Sequence, residues 1–305
     1  VILAVTPLSI IYITSESFRG LKEVARYSIF KFALIPLFAS IILFFLEIIK
    51  FNNLFNPILS YIVSVYVVCL ISIIFWIKNI YVEKKILYKY IPIKKILHIS
   101  IPMLISTSMF YIIQWTDTIM LSYFESVENI GIYNVAVKIS MSTSIILFSI
   151  NSISAPKYSE LFFSQRYDEF KSTIKFSSKL IFWLSLPILL IIGIFSEFFL
   201  GIFGVEFINA KYSLFILLFG QFINISCGSV GYILLMTGKE KILRNIIVVA
   251  GIINVGLNII LIPYLGILGA SISSSASLIL WNILGLLYIY NKYGFLTINI
   301  IRSYD

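Results

Sequence analysis

Charge is what this sequence lacks most. Only 12% of its 305 residues are Asp, Glu, Lys or Arg, where a soluble domain carries about a quarter. It has one histidine, His98, and two cysteines, Cys69 and Cys227. No Cys-x-x-Cys pair and no cluster of His, Cys, Asp and Glu has the spacing of a metal site. Both cysteines fall in apolar runs and read as small packing residues. His98 stands at a helix start beside Ser100 and Pro102, with no partner carboxylate or nucleophile. That leaves no acid–base constellation, so the chain does not read as an enzyme. No loop is long enough to form a soluble domain.

Apolar length is what fills the gap. The chain is 60% hydrophobic, with a mean hydropathy of +1.01. Tyr212 to Gly238 runs 27 residues without a charge. Asn245 to Asn291 runs 47, with the turn-like Pro263-Tyr264-Leu265-Gly266 near its middle. About 20 residues suffice to cross a hydrocarbon core as a helix, and the alternation of a β-barrel strand is absent. The expectation is an all-α polytopic membrane protein of about nine spans, at 1–15, 32–49, 57–77, 97–122, 130–152, 180–200, 208–236, 246–262 and 265–290. The first apolar run, Val1 to Ile13, is too short to span alone, and the chain starts with Val1 rather than Met. Both features point to a chain that begins part-way through a longer protein.

The net charge of +9 does not signal nucleic acid, because the basic residues sit in short loops between apolar runs. Twenty of the 23 lysines and arginines fall in alternate loops, among them Arg19, Lys78, Lys94, Lys157, Arg166, Lys239 and Lys292. The opposite loops hold Lys50 and Lys211 beside the acidic Glu125, Glu128 and Glu206. Such asymmetry marks the first set as cytoplasmic, and the expected location is the plasma membrane, as a multi-pass protein. The first span then runs inward, and an odd number of spans precedes it if the full chain starts in the cytoplasm. Two cytoplasmic loops resemble each other: Arg19 to Arg26 and Thr237 to Arg244 share a glycine, a Lys-Glu pair and an arginine six residues after the glycine. This fits two equivalent halves.

Polar residues inside the spans carry the functional reading. Asp117, in "YIIQWTDTIMLSYF", costs roughly 2.5–3.5 kcal/mol at a helix centre. It is either a solvated carboxylate near the outer helix end or a cation or proton site. Gln114 shares its face three residues earlier. Asn254 and Asn258 lie four apart, hence on one helix face. They serve as oxygen ligands or as interhelical hydrogen-bonding groups. Ser271, Ser273, Ser274 and Ser275 permit close packing or supply a hydroxyl ligand. Lys138 is the one basic residue inside a span. It either snorkels outward or lines a cavity for an anionic substrate. Pro36, Pro102, Pro187 and Pro263 lie in or at the ends of spans and read as kinks.

Residues 100–140, "SIPMLISTSMFYIIQWTDTIMLSYFESVENIGIYNVAVKIS", resemble the middle of polysaccharide-exporting flippases. These are the Wzx-type branch of the multidrug/oligosaccharidyl-lipid/polysaccharide exporter superfamily. The resemblance rests on Ser100-Ile101-Pro102, on Asp117 through Leu121, and on Gly131 through Ala136. It continues in "GKEKILRNIIVVAGIINVGLNIILIPYLGILGAS" (238–271), "SAPKYSEL" (154–161) and "SFRGLKEVARYSI" (17–29), and so covers essentially the whole chain. It implies a MATE-like bundle of two six-helix lobes around a central cavity. Residues 1–90 would be the remainder of the N-terminal lobe (helices four to six) and 91–305 the C-terminal lobe (helices seven to twelve). It implies a monomer that carries a polyprenyl-linked oligosaccharide from the cytoplasmic to the outer leaflet by alternating access, with membrane lipid as its other partner. Lys138 and Gln114 would then contact substrate. Asp117, Asn254, Asn258 and Ser274 would form a cation-coupling site for Na+ or H+, with no other cofactor. Asn258 stands where some relatives have a carboxylate, which leaves the ion open. A cation-coupled multidrug exporter of the same superfamily shares these features. A membrane glycan polymerase or ligase would need a larger outer loop than Leu200 to Lys211.

Overall fold

The computed structural model describes residues 2–49, 55–82 and 92–297. Lys50, Lys84, Lys85, Lys89 and Arg302, used above for orientation, lie outside them. Among the described residues every regular element is helical, so the all-α reading holds. The chain divides into two compact units, Val1–Tyr90 and Ile91–Asp305.

The first unit holds α1 (Val5–Gly20), α2 (Val24–Ile48) and α3 (Asn56–Val82). A π-helical stretch, Ile29–Ala33, interrupts α2. Phe18, Tyr27, Phe30, Val65 and Val68 bury against one another as its core.

The second unit holds α4 (Ile93–Phe124), α5 (Val127–Ser142), α6 (Ile145–Phe163) and α7 (Tyr167–Ile194). It continues with α8 (Lys211–Cys227), α9 (Val230–Met236), α10 (Glu240–Leu265) and α11 (Ile267–Tyr293). Among the described residues of the two units together, seven helices are long and apolar enough to cross a membrane, and an eighth span is added if the α5–α6 pair, bent by 45°, counts as one. The first expected span appears as the 16-residue α1. Leu104, Trp115, Ile119 and Ile194 are each more than half exposed. Such surfaces are rare in water and are what a lipid-facing helix presents.

Three expected spans differ in detail. The run at 208–236 is not one helix: it breaks between α8 and α9 at Gly228, whose φ of +71° suits glycine. The freed carbonyl of Cys227 accepts from the Thr297 hydroxyl at 2.7 Å, as a broken membrane helix requires. The run at 130–152 bends at Thr143–Ser144. There Ser140, Ser142 and Thr143 each turn a hydroxyl back onto a carbonyl three residues earlier, a habit that bends helices. The span expected at 180–200 begins at Tyr167 instead, because the charged residues before it continue the same helix beyond the apolar segment.

Three loops share one geometry. Lys22, Gln165 and Gly238 adopt φ of +65°, +59° and +70°, and each stands two residues before the next helix. In each, the following N–H reaches back to the preceding helix: Glu23 to Phe18, Arg166 to Leu161 and Lys239 to Leu234. This is the Schellman cap. The two loops that resemble each other in sequence share this cap, but out of the register of that resemblance: the left-handed residue is Gly238 in one and Lys22, two residues after Gly20, in the other. Lys22 and Gln165 show that the geometry does not need a glycine.

The second unit's core has two parts. Tyr158, Phe170, Ile233, Leu243 and Ile289 pack together with the 160s and 290s chain segments. Leu121, Tyr133, Leu200, Leu214 and Ile262 pack near the α4–α5 and α10–α11 turns. α11 packs along α10 and α8, and α10 packs along α4. That arrangement sets α10 and α11 beside Asp117.

Candidate cation and substrate site in the second unit

Asp117 is not a solvated end-of-helix carboxylate; it is 3% exposed. Three helices turn donors onto it. From α5, the Tyr133 hydroxyl donates to Oδ2 at 2.7 Å. From α10, Asn258 Nδ2 donates to Oδ1 at 2.7 Å. From α11, the Ser274 hydroxyl donates to Oδ2. No lysine or arginine among the described residues pairs with it. Hydrogen bonds to an ionised acceptor run roughly twice as strong as neutral ones, so three of them replace much of the lost water.

The asparagines extend the network. Asn258 Nδ2 also reaches Asn254 Oδ1 at 3.3 Å, and Asn254 Nδ2 reaches the Ser277 hydroxyl at 3.4 Å. Both side chains are fully buried. The spacing of four puts them on one face, as the sequence suggests. Asn258 Oδ1, however, has no hydrogen-bond partner among the described residues. A buried acceptor without a donor costs about 1–3 kcal/mol.

The serine run separates by face. Ser274 alone reaches Asp117. Ser271 and Ser273 bond back to Ile267 and Gly269 carbonyls. Ser275 crosses to the Ile216 carbonyl on α8 at 2.8 Å. Gly220 faces Ser275 so closely that a Cβ there would lie 3.1 Å from the Ser275 Cα. Asp117, Asn254, Asn258 and Ser274 therefore come together as one cluster, and Tyr133 joins it.

Asp117, Tyr133 and Ser274 form part of the wall of a cavity of about 560 Å³ within the second unit. That is the range of a small organic ligand. Gln114 lines it too, with its amide nitrogen 3.7 Å from Met141 Sδ. Lys138 does not line it: its neighbour Val137 does, while Lys138 is exposed on α5. Among the described residues Asp117 is the one charged residue of the lining. The rest is hydroxyls, amides and apolar groups, with the rings of Phe110, Tyr111, Tyr232 and Trp281. His98, at the start of α4, stands apart from the cavity with its Nε2 2.8 Å from Lys241 Nζ.

Sequence reasoning missed Tyr133, Asn151, Gln221, Asn224 and Trp281. Tyr133 had a signal, as the third residue of the Gly131–Ala136 motif. The others look like ordinary residues of apolar spans until the helices are placed.

No group of three or more His, Cys, Asp or Glu able to hold a metal occurs among the described residues. The oxygens of Asp117, Asn254, Asn258 and Ser274 carry one negative charge together. They suit a proton or a monovalent cation better than a divalent one.

The sequence model of a family described as polysaccharide biosynthesis protein matches residues 1–162, and that of the MatE family matches 102–260. An uncharacterised membrane protein of Methanocaldococcus jannaschii is 25% identical over 242 residues, covering 76% of this chain and 47% of the relative. A probable low-salt glycan biosynthesis flippase of Haloferax volcanii is 26% identical over 168 residues, covering 55% and 36% respectively. The chain thus spans half or less of the curated relatives it matches. Among solved structures, a Vibrio cholerae MATE transporter superposes with a TM-score of 0.77 at 11% identity, over 96% of this chain and 69% of that one. An outward-facing multidrug resistance MATE transporter of the MOP superfamily gives 0.72 at 14%, over 92% and 65%. At such identity the likeness establishes the fold alone.

Proposed function

We propose that this chain, which belongs to the polysaccharide biosynthesis protein family, is part of a flippase. It would move a polyprenyl-linked oligosaccharide from the cytoplasmic to the outer leaflet by alternating access. The observation that carries this reading is the cavity lining. A sugar head is uncharged, rich in hydroxyls and flanked by C–H faces. Amides, hydroxyls and aromatic rings around the cavity match that chemistry, and its lining offers a single carboxylate. The curated relative from Haloferax volcanii bears the name of a glycan flippase, which supports the same substrate class.

Asp117 and its neighbours would serve as the coupling site. The Asn258 amide that donates to Asp117 keeps an Oδ1 without a partner among the described residues, so the residues present fit a proton or Na+. Binding there shifts a conformational equilibrium by no more than its differential affinity for the two states. Lys138, exposed on α5, would meet the phosphate of the lipid carrier rather than the sugar.

Complementation tests the reading. The protein is expressed in cells deleted for their own glycan flippase, and surface glycan is measured. Restored glycan, lost again with Asp117→Asn, is the expected result. Gained resistance to cationic drugs without restored glycan would instead favour a multidrug exporter of the same superfamily.

A further inference from the structure

Asn151 lies on α6, beyond the α5–α6 bend from Tyr133. It is fully buried, it lines the cavity, and neither its Oδ1 nor its Nδ2 has a hydrogen-bond partner among the described residues. Buried amides in native proteins almost always have partners. Two orphaned atoms on one side chain are costly, and such exceptions concentrate where a ligand completes the bonding.

The other polar and aromatic groups at the cavity indicate which ligand. Ser144 donates to Gln221 Oε1 at 2.7 Å, and Asn224 Nδ2 donates to the same oxygen at 3.1 Å. Asn282 Nδ2 in turn donates to Asn224 Oδ1 at 3.1 Å. Gln221 and Asn224 stand one turn apart on α8 and line the same cavity. Gln221 spends its carbonyl on this network and makes no hydrogen bond through its amide N–H groups among the described residues. Trp281, set edge-on to Phe110 at 5.6 Å, lines the same cavity.

We propose that Asn151, Gln221 and Trp281 form a saccharide subsite, distinct from the Asp117 cluster, that holds a sugar ring of the transported head group. An amide offers one donor and one acceptor side by side, which matches two neighbouring sugar hydroxyls. An aromatic ring covers the apolar face of the same sugar. Among the described residues no lysine or arginine lines the cavity, so the subsite takes the uncharged sugar and not the phosphate. This deepens the flippase reading and rests on it.

The test compares two ligands on purified protein in detergent. One is polyprenyl diphosphate; the other is the same lipid bearing glucose, galactose or N-acetylglucosamine. The wild type is expected to bind at least one sugar-bearing lipid more tightly than the bare lipid. Asn151→Leu is expected to weaken that sugar-bearing lipid about ten-fold or more and to leave the bare lipid unchanged. Its melting temperature should match or exceed the wild type's, since two unsatisfied buried atoms are removed. Asn151→Ala, which adds no bulk, repeats the comparison if leucine is not accommodated. Equal binding of the sugar-bearing lipid by wild type and variants overturns the subsite and leaves the flippase reading standing. Equal loss for both ligands with a lowered melting temperature makes Asn151 structural and also overturns it. A wild type that prefers none of the sugar-bearing lipids removes the flippase reading and the subsite together.

Discussion

Tyr133 donates its hydroxyl to Asp117 across 2.7 Å, from a helix joined to α4 by only two residues, Glu125 and Ser126. The turn folds α5 back along α4, so the two side chains meet inside the second unit. That is why an apolar span accepts a carboxylate here: the protein supplies donors in place of water. Tyr133→Phe removes one of the three. A hydrogen bond to a charged group is worth about 1.5–3 kcal/mol, so thermal unfolding in detergent should show a loss of that order. Unchanged stability would mean that Ser274 and Asn258 suffice.

Asp117→Asn should not unfold the protein. Its Oδ1 could keep the Tyr133 and Ser274 donors. Its new amide would face Asn258, whose Oδ1 now lacks a partner and would gain one after a flip. The variant is therefore expected to melt at or above the wild-type temperature while transport driven by an ion gradient is lost. Transport assays in vesicles with and without the gradient check the second half. Gradient-driven transport at the wild-type rate would remove Asp117 from coupling.

The fold was largely legible because a membrane forces long apolar helices, and Asp117, Asn254, Asn258 and Ser274 stood out as costly residues in such runs. Their convergence is a tertiary fact that resemblance implied and spacing alone could not. The helix break at Gly228 was hidden because glycine in an apolar run is common, and only its φ of +71° marks the break. The bend after Ser142 was hidden because a run of hydroxyl residues reads equally as packing. Asn151, Gln221 and Asn224 were invisible for a different reason. They are singly spaced amides on α6 and α8, and only the folded chain shows that they line one cavity. Lys138 shows the converse: a lone intramembrane lysine drew attention, yet its side chain lies outside the second unit's cavity.

Lys138→Ala separates charge from structure. Lys138 is exposed and makes no ion pair among the described residues. Surface substitutions of this kind stay within about 0.5 kcal/mol, so the melting temperature should not move. Affinity for bare polyprenyl diphosphate should fall if Lys138 meets the phosphate. Full retention of that affinity would show that the lysine serves topology alone.

Gly220→Val tests the contact that brings α11 to α8. A Cβ at Gly220 already crowds Ser275 backbone at 3.1 Å, and two more methyl groups force the helices apart. Overpacking of this kind costs typically about 1–3 kcal/mol. It should also loosen the Ser275 hydroxyl from the Ile216 carbonyl. The variant is expected to melt lower, and wild-type stability would mean that α11 can shift without strain.

Asn258→Asp decides what the Asp117 cluster holds. Asn258 Nδ2 now sits 2.7 Å from Asp117 Oδ1. A carboxylate in its place sets two negative oxygens side by side, and such a pair does not stay doubly ionised without a counter-charge. The variant therefore needs a cation or a proton to fold well. If Na+ fits among these oxygens, the melting temperature of the variant should rise with NaCl relative to choline chloride at equal ionic strength, following the linkage of binding to stability. If the cluster takes a proton instead, the variant should melt higher as pH falls and ignore the choice of salt. Indifference to both would place the two carboxylates apart, and the cluster would then be packing between α4, α10 and α11 rather than a coupling site.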